Sequence, residues 1–112
     1  GAYFALSSFA YPDIHHLPEK ERYWFRDIFA TPLDIPLQFD DYVLSADAFN
    51  EAARSFCDRE DALYVPVAEN IQGGIEIFTD TCHMHMTGIQ QKAQIMFDFL
   101  KDHISRSMKG EG

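Results

Sequence analysis

Basic residues are scarce in this sequence. The 112 residues include nine lysines and arginines against eighteen aspartates and glutamates, which gives a formal net charge of -9 at pH 7. A surface with this balance repels the phosphate backbone of nucleic acids, because those complexes depend on Lys and Arg to neutralise phosphates. The composition therefore predicts that nucleic acid is not a partner.

Long apolar runs are also missing. No stretch of the sequence approaches the roughly 20 consecutive apolar residues that span a bilayer. No signal peptide is visible, although a processed chain would not show one. The sequence thus predicts no membrane span, and it leaves the cellular location open.

Cysteine occurs only at positions 57 and 82. Two cysteines cannot form the set of several disulfides that stabilises many small secreted domains. Cys57 falls on the apolar face of a predicted helix, which favours a place in the core, whereas Cys82 lies beside His83 in a polar segment. A single Cys57–Cys82 bridge and a reducing environment are both compatible with this pattern.

The residues that are present favour a packed core. Apolar residues make up 46% of the chain, with ten Phe, five Tyr and one Trp, and such a composition argues against disorder. The length suits one domain. Periodicity and turn signals predict the following order: a strand and a helix over 2–30, a loop over 31–44, a helix, a strand, a polar loop and a last helix over 45–104, and a tail over 105–112.

Two short apolar stretches are the predicted strands. They are Ala2–Leu6 and Leu63–Val67, and Pro66 weakens the second because it cannot donate a ladder hydrogen bond. Alternation of strands and helices favours an α/β fold with parallel strands, since crossover connections are right-handed. Ser7, Ser8 and the loop after Val67 would then share the sheet edge at which α/β proteins bind ligands.

Apolar residues at helical spacing predict the buried helix faces. Ser45 is the expected cap of the second helix. The predicted inward residues are Trp24, Phe25, Ile28 and Phe29 in the first helix, Phe49, Ala53, Phe56 and Cys57 in the second, and Ile89, Ala93, Met96, Phe97, Leu100 and Ile104 in the third.

A carboxylate and an imidazole, Asp80 and His83, stand three residues apart after the apolar run 75–78, which we interpret as a strand. Thr87 and Gln90 fit the capping-box pattern at the start of the last helix. The loop that carries Asp80 and His83 should therefore be fixed by a packed helix behind it. Rigidly supported loops of this kind commonly carry catalytic groups.

This pattern resembles the last motif of the SGNH (GDSL-type) hydrolases: Asp-x-x-His, a glycine five residues after the histidine (Gly88), and an amphipathic C-terminal helix. The resemblance covers residues 45–104 and, more loosely, 2–30. It implies a three-layer α/β fold with a flavodoxin-like parallel sheet flanked by helices, with the N-terminal half absent from this chain. It also implies a Ser-His-Asp triad in which His83 is the general base and Asp80 orients it.

A nucleophile is not evident. The sequence contains no Gly-Asp-Ser and no Gly-x-Ser-x-Gly, and it lacks the glycine and the Gly-x-Asn-Asp segment that supply the family's oxyanion hole. Ser7 and Ser8 end the first strand without flanking glycines, so local bonding to the backbone is the favoured interpretation. Asn50 and Glu69 are assigned no catalytic role.

Two other interpretations of the polar loop stay open. His83 could form only local hydrogen bonds. A metal ion could instead use four ligands within six residues, namely Asp80, Cys82, His83 and His85. Structural zinc sites usually draw on two separated clusters, however, and only His15-His16 could supply a second one. We therefore expect neither a metal nor an organic cofactor.

The expected function is the C-terminal part of a serine esterase or acyl hydrolase that acts on an ester or an acylated small molecule. Because half of such a sheet would leave a strand edge unpaired and apolar helix faces uncovered, the chain should associate with a missing N-terminal half or form an oligomer. The alternative is a non-catalytic, acidic α/β module that binds a protein partner through its aromatic surface.

Overall fold

The computed structural model describes residues 4–30 and 38–108. Its elements are two strands, three long helices and one short helix before the polar loop. They are β1 (Ala5–Ser7), α1 (Glu19–Ala30), α2 (Phe39–Glu60), β2 (Leu63–Val65), α3 (Val67–Asn70) and α4 (Met86–Met108). Within these residues, no helix combines the length and the apolar character needed to cross a membrane.

β1 and β2 form a two-stranded parallel sheet in which Ala5 lies opposite Leu63 and Ser7 opposite Val65. The prediction of an α/β chain with parallel strands is confirmed at this level. β2 is shorter than predicted: it ends at Val65 because Pro66 has no N–H for the ladder and precedes α3.

The start of α2 differs from the prediction. The helix begins at Phe39, whereas residues 31–44 were assigned to a loop; residues 31–37 of that segment lie outside the described part. The N–H of Gln38 donates to the carboxylate of Asp41 at 3.1 Å, and acidic residues in a first turn favour the positive end of the helix dipole. Ser45 is therefore inside the helix, not its cap, and its hydroxyl donates to the carbonyl of Asp41.

Aromatic side chains of α1 and α2 form the centre of the core. Phe25 and Phe29 are buried as predicted, with ring centroids 6.2 and 5.9 Å from that of Phe39. The predicted stripes are wrong at Trp24 and Phe49, which are 41% and 52% exposed. Because α2 starts earlier than predicted, its buried face also extends further towards the N-terminus. The buried residues of α2 are Phe39, Val43, Ala46, Asn50, Ala53 and Cys57.

Residues 75–78 form a turn and not the expected strand. The N–H groups of Ile77 and Phe78 both donate to the carbonyl of Gly74, at 3.0 and 2.8 Å. Phe78 then makes an isolated antiparallel bridge with Met84. The strand prediction is wrong because a short apolar run fits a buried turn as well as a strand, and both Ile77 and Phe78 are buried.

α4 begins at Met86, so Thr87 is its second residue and not its cap. His85 precedes the helix, and the N–H of Ile89 donates to the His85 carbonyl at 3.0 Å. The helix continues to Met108, so the first residues of the predicted tail are helical.

Only one narrow face of α4 meets the rest of the described chain, where it packs against β2 and α3. Ile95, Met96 and Leu100 contact the core from this face. The predicted stripe is wrong at four exposed positions, namely Ile89, Ala93, Phe97 and Ile104. The apolar residues of α4 therefore extend beyond the face that packs against the core.

Candidate active site

The segment Thr79–His83 is a short turn closed at its base. The N–H and the hydroxyl of Thr79 both donate to the carbonyl of His83, at 2.9 and 3.2 Å. The N–H of His85 donates to the carbonyl of Ile77 at 2.8 Å, and the neighbouring Phe78 is fully buried. The turn is thus attached to the core at both ends, which limits the movement of any functional group that it carries.

Asp80 and His83 meet inside this turn. Oδ1 of Asp80 accepts hydrogen bonds from the backbone N–H groups of Cys82 and His83, at 2.8 and 2.7 Å. Oδ2 of the same carboxylate lies 2.8 Å from Nδ1 of the His83 imidazole. One oxygen therefore shapes the backbone and the other orients the ring, so the pair predicted from the sequence is brought together.

These contacts control the protonation of Asp80. Partial burial acts to raise the pKa of the carboxyl, but the N–H groups of His83 and Cys82 and the His83 imidazole outweigh it and lower the pKa from 3.8 to about 2. Asp80 is therefore ionised at neutral pH and can only accept hydrogen bonds. It selects the His83 tautomer with a proton on Nδ1, which leaves Nε2 as an acceptor.

Cys82 is the third polar group of the turn, with Sγ 3.4 Å from Nδ1 of His83. It is exposed and carries a free thiol, as does the buried Cys57, so the conceivable disulfide between them is absent. Burial and then the charge of Asp80 raise the pKa of the Cys82 thiol. A thiol kept protonated in this way is a poor nucleophile.

Tyr42 of α2 holds the turn from the other side. Its hydroxyl donates to the carbonyl of Thr81 at 3.0 Å, and its ring stacks on Phe39 with centroids 5.8 Å apart. Burial raises the pKa of Tyr42, so the hydroxyl stays protonated as a donor. Sequence reasoning missed this residue because it placed 31–44 in a loop; a helix starting at Phe39 puts both rings on one face.

Gly88 allows the first turn of α4 to approach the segment before the site. A Cβ added at this buried glycine would lie 2.9 Å from the carbonyl oxygen of Ile77 and 3.1 Å from Cβ of Met84. Close packing therefore explains the glycine at position 88, because a side chain there would push the helix away from the residues that close the Asp80–His83 turn.

Among the described residues, the hydrogen-bond and ion-pair partners of Asp80 are Cys82 and His83, and His85 belongs to a different surface. Its side chain lines an open, mostly apolar cleft of about 440 Å³. The other lining residues are Lys20, Glu21, Trp24, Ile75, Phe78 and Thr79. Between the two histidines of the motif, His83 is thus the one paired with a carboxylate.

The serines at the end of β1 have structural partners. Ser8 is 3% exposed, and its hydroxyl accepts a hydrogen bond from the N–H of Ala68 at 2.8 Å. This contact joins the end of β1 to α3, so Ser8 does bond to a backbone group, but to one that is distant in the sequence and not local as predicted. Ser7 is the last residue of β1 and is half-buried.

Asn50 and Glu69 also have structural partners. Asn50 is buried, and its amide pairs with both the N–H and the carbonyl of Phe9, at 2.7 and 3.0 Å. Glu69 accepts from the hydroxyl of Tyr64 at 2.8 Å and from Arg54 at 3.3 Å. Both residues hold neighbouring segments together, which is consistent with assigning neither a catalytic role.

Comparison of the chain with protein-family models, curated proteins and solved structures finds no significant match. A functional assignment therefore depends on the chemistry of the described residues. The feature with the most specific chemistry is the turn in which an ionised Asp80 orients the imidazole of His83.

Proposed function

We propose that this chain is the C-terminal portion of an SGNH-type serine esterase or acyl hydrolase and that it supplies the Asp and His of a Ser-His-Asp triad. The observation that carries the proposal is the 2.8 Å contact between Oδ2 of Asp80 and Nδ1 of His83. The two backbone N–H groups on Oδ1 of Asp80 support it, because they fix the carboxylate in the position that orients the ring.

The chemistry follows from the tautomer. Nε2 of His83 accepts the proton of a serine hydroxyl as its oxygen attacks the ester carbonyl, and the resulting imidazolium is stabilised by Asp80. Nε2 then protonates the leaving alcohol, and an acyl-enzyme remains. In the second half, Nε2 accepts a proton from water, which hydrolyses the acyl-enzyme and regenerates the serine.

The serine and the oxyanion-hole donors would come from residues outside the described part of the chain. The imidazole of His83 is 76% exposed, so a group from another segment can reach it. We propose that other segments would also complete the fold, so that β1 and β2 would be two strands of a three-layer, flavodoxin-like sheet. Two strands rarely form a stable sheet alone, and Phe4 beside β1 is 58% exposed.

Covalent labelling tests the proposal. The full-length gene product should react with a fluorophosphonate probe at a single serine, identified by mass spectrometry of the labelled peptide. His83→Ala should slow the labelling strongly, because no base activates the serine, whereas the matched variant His85→Ala should label at the original rate. The absence of labelling in a folded full-length protein would contradict the proposal.

A binding module is the second candidate, and the apolar cleft favours it. Trp24 and Ile75 line this cleft and are 41% and 49% exposed, as in surfaces that bind protein partners. In this case Trp24→Ala would abolish binding of the partner, and His83→Ala would have no effect on any function of the protein. The labelling experiment separates the two candidates.

A further inference from the structure

The turn gathers three different potential metal ligands. The carboxylate of Asp80, the thiol of Cys82 and Nδ1 of His83 all lie within 4.8 Å of one another. Sγ of Cys82 is 3.4 Å from Nδ1, and Oδ2 of Asp80 is 2.8 Å from the same nitrogen. The sequence offers four candidate ligands within six residues, and the structure brings these three together without His85.

Their spacing suits a tetrahedral ion after a small adjustment. Zinc binds carboxylate oxygen, imidazole nitrogen and thiolate sulfur at about 2.0–2.3 Å, which places neighbouring donor atoms about 3.3–3.8 Å apart. The sulfur–nitrogen separation of 3.4 Å already falls in this range. The hydrogen-bonded Asp80–His83 pair, at 2.8 Å, has to open by roughly half an ångström, and the thiol and carboxylate donor atoms, which lie within 4.8 Å of each other, have to reach the same range.

We propose that Asp80, Cys82 and Nδ1 of His83 form a Zn²⁺ site and that the metal switches His83 from an acceptor to a donor. Three protein ligands leave a fourth position for water, and the exposed thiol and imidazole give the ion a path from solvent. Metal binding itself does not depend on the proposed hydrolase; the inhibition described next rests on it.

The switch follows from the tautomer of His83. Without metal, the proton is on Nδ1, facing Asp80, and Nε2 can accept a proton. A metal on Nδ1 uses the lone pair of that nitrogen, so the ring proton moves to Nε2. The imidazole stays neutral, the Cys82 thiol releases its proton to the buffer as it binds, and Asp80 changes partner from ring to metal. His83 then has no free acceptor nitrogen and cannot serve as a general base.

Cobalt absorption tests the site on the chain itself. Co²⁺ added to the purified, reduced chain should produce the thiolate-to-cobalt charge-transfer band and the strong visible bands of tetrahedral coordination, and Zn²⁺ should displace it. Cys82→Ser should lose the charge-transfer band and weaken binding more than about 100-fold, since even indirect partners of ligands cost about 10- to 100-fold.

Two controls fix the ligand set. His85→Ala removes a nearby exposed imidazole, and Cys57→Ala removes the other thiol, so both should keep the bands and the affinity of the original chain. A folded original chain without a charge-transfer band would overturn the metal site. Persistence of the band in Cys82→Ser, or its loss in His85→Ala, would overturn the assigned ligands.

Nitrogen-15 NMR of the imidazoles tests the switch directly. The long-range proton–nitrogen spectrum of His83 should show the proton on Nδ1 without metal and on Nε2 with stoichiometric Zn²⁺. Zinc bound through Nε2 would contradict the switch. Failure to bind zinc leaves the proposed hydrolase untouched, whereas serine labelling that is insensitive to His83→Ala contradicts the hydrolase but not the metal site.

Discussion

At the scale of the residue, Asp80 has two separate functions in one carboxylate. Oδ1 accepts the two backbone N–H groups that shape the turn, and Oδ2 orients the imidazole of His83. The geometry of the backbone and the tautomer of the His83 imidazole therefore depend on the same charge. A protonated or amidated Asp80 would disturb both.

Asp80 should make the chain sensitive to acid. Its pKa is about 2 in the folded protein against 3.8 ordinarily, so the unfolded chain binds a proton at higher pH than the folded one. The stabilisation from Asp80 is present above about pH 4 and is lost as the pH falls from about 4 to about 2. The thermal stability of Asp80→Asn should therefore depend less on pH over this interval than that of the original chain.

The matched control is Asp58→Asn, which removes an exposed carboxylate of α2 outside the turn. Thermal unfolding of the three proteins, followed by circular dichroism at several pH values, measures the effect. Parallel curves for Asp80→Asn and the original chain would show that the carboxylate is not stabilised as described.

Tyr42 should contribute measurably through its hydroxyl. Tyr42→Phe removes the hydrogen bond to the Thr81 carbonyl while it keeps the ring, so we expect a loss of about 0.5–1.5 kcal/mol in the free energy of unfolding. Tyr23→Phe is the control: Tyr23 is 65% exposed on α1, and its loss should stay within about 0.5 kcal/mol. Urea titration of both variants measures the free energy of unfolding, and equal losses in the two variants would contradict the role of Tyr42.

At the scale of the element, α4 is positioned by a glycine and not by a cap. Gly88→Ala forces a Cβ to 2.9 Å from the Ile77 carbonyl, and such overpacking costs about 1–3 kcal/mol. The gain in helix propensity is less than about 1 kcal/mol in a first turn, so we expect a net loss. Thr87→Ala, at an exposed position, should change stability by less than about 0.5 kcal/mol.

Denaturant titration of the two alanine variants checks this ranking. A larger loss for Thr87→Ala than for Gly88→Ala would restore Thr87 as the cap and would mean that the first turn of α4 can move away from Ile77. The expected ranking reverses the one that the capping-box pattern alone would predict.

The elements also show what the sequence could and could not predict. The pairing of Asp80 with His83 was predictable because residues three apart in a tight turn can meet. The early start of α2 was not, since Pro32 and Pro36 together with the acidic pair Asp40-Asp41 favoured a loop, whereas the two aspartates form the acidic first turn of the helix. Tyr42 was missed for the same reason, and helical periodicity alone could not say how narrow the covered face of α4 is.

At the scale of the whole molecule, apolar surface exceeds what the described elements cover. Several large side chains beside β1 and on α4 are 42–58% exposed, and the sheet has two strands among the described residues. These side chains are Phe4, Ile89, Phe97, Phe99 and Ile104. Exposed strand edges and extensive apolar patches favour association.

We therefore expect the isolated 112-residue chain to be oligomeric. Analytical ultracentrifugation at micromolar concentration should give a mass above the 12.9 kDa of one chain. Phe97→Ser should shift the distribution towards the monomer without unfolding it, because this side chain is 57% exposed. A folded monomer of the original chain would contradict the expectation and would favour the self-sufficient binding module.

The central claim is that His83, oriented by Asp80, is the base of an ester hydrolase. The most direct test is the kcat/KM of the full-length gene product for a short-chain p-nitrophenyl ester, compared between His83→Ala and His85→Ala. We expect kcat/KM to fall by about 10²- to 10⁴-fold in His83→Ala, which is the usual contribution of a general base. In His85→Ala, kcat/KM should be nearly unchanged. An active His83→Ala enzyme, or a loss confined to His85→Ala, would contradict the central claim.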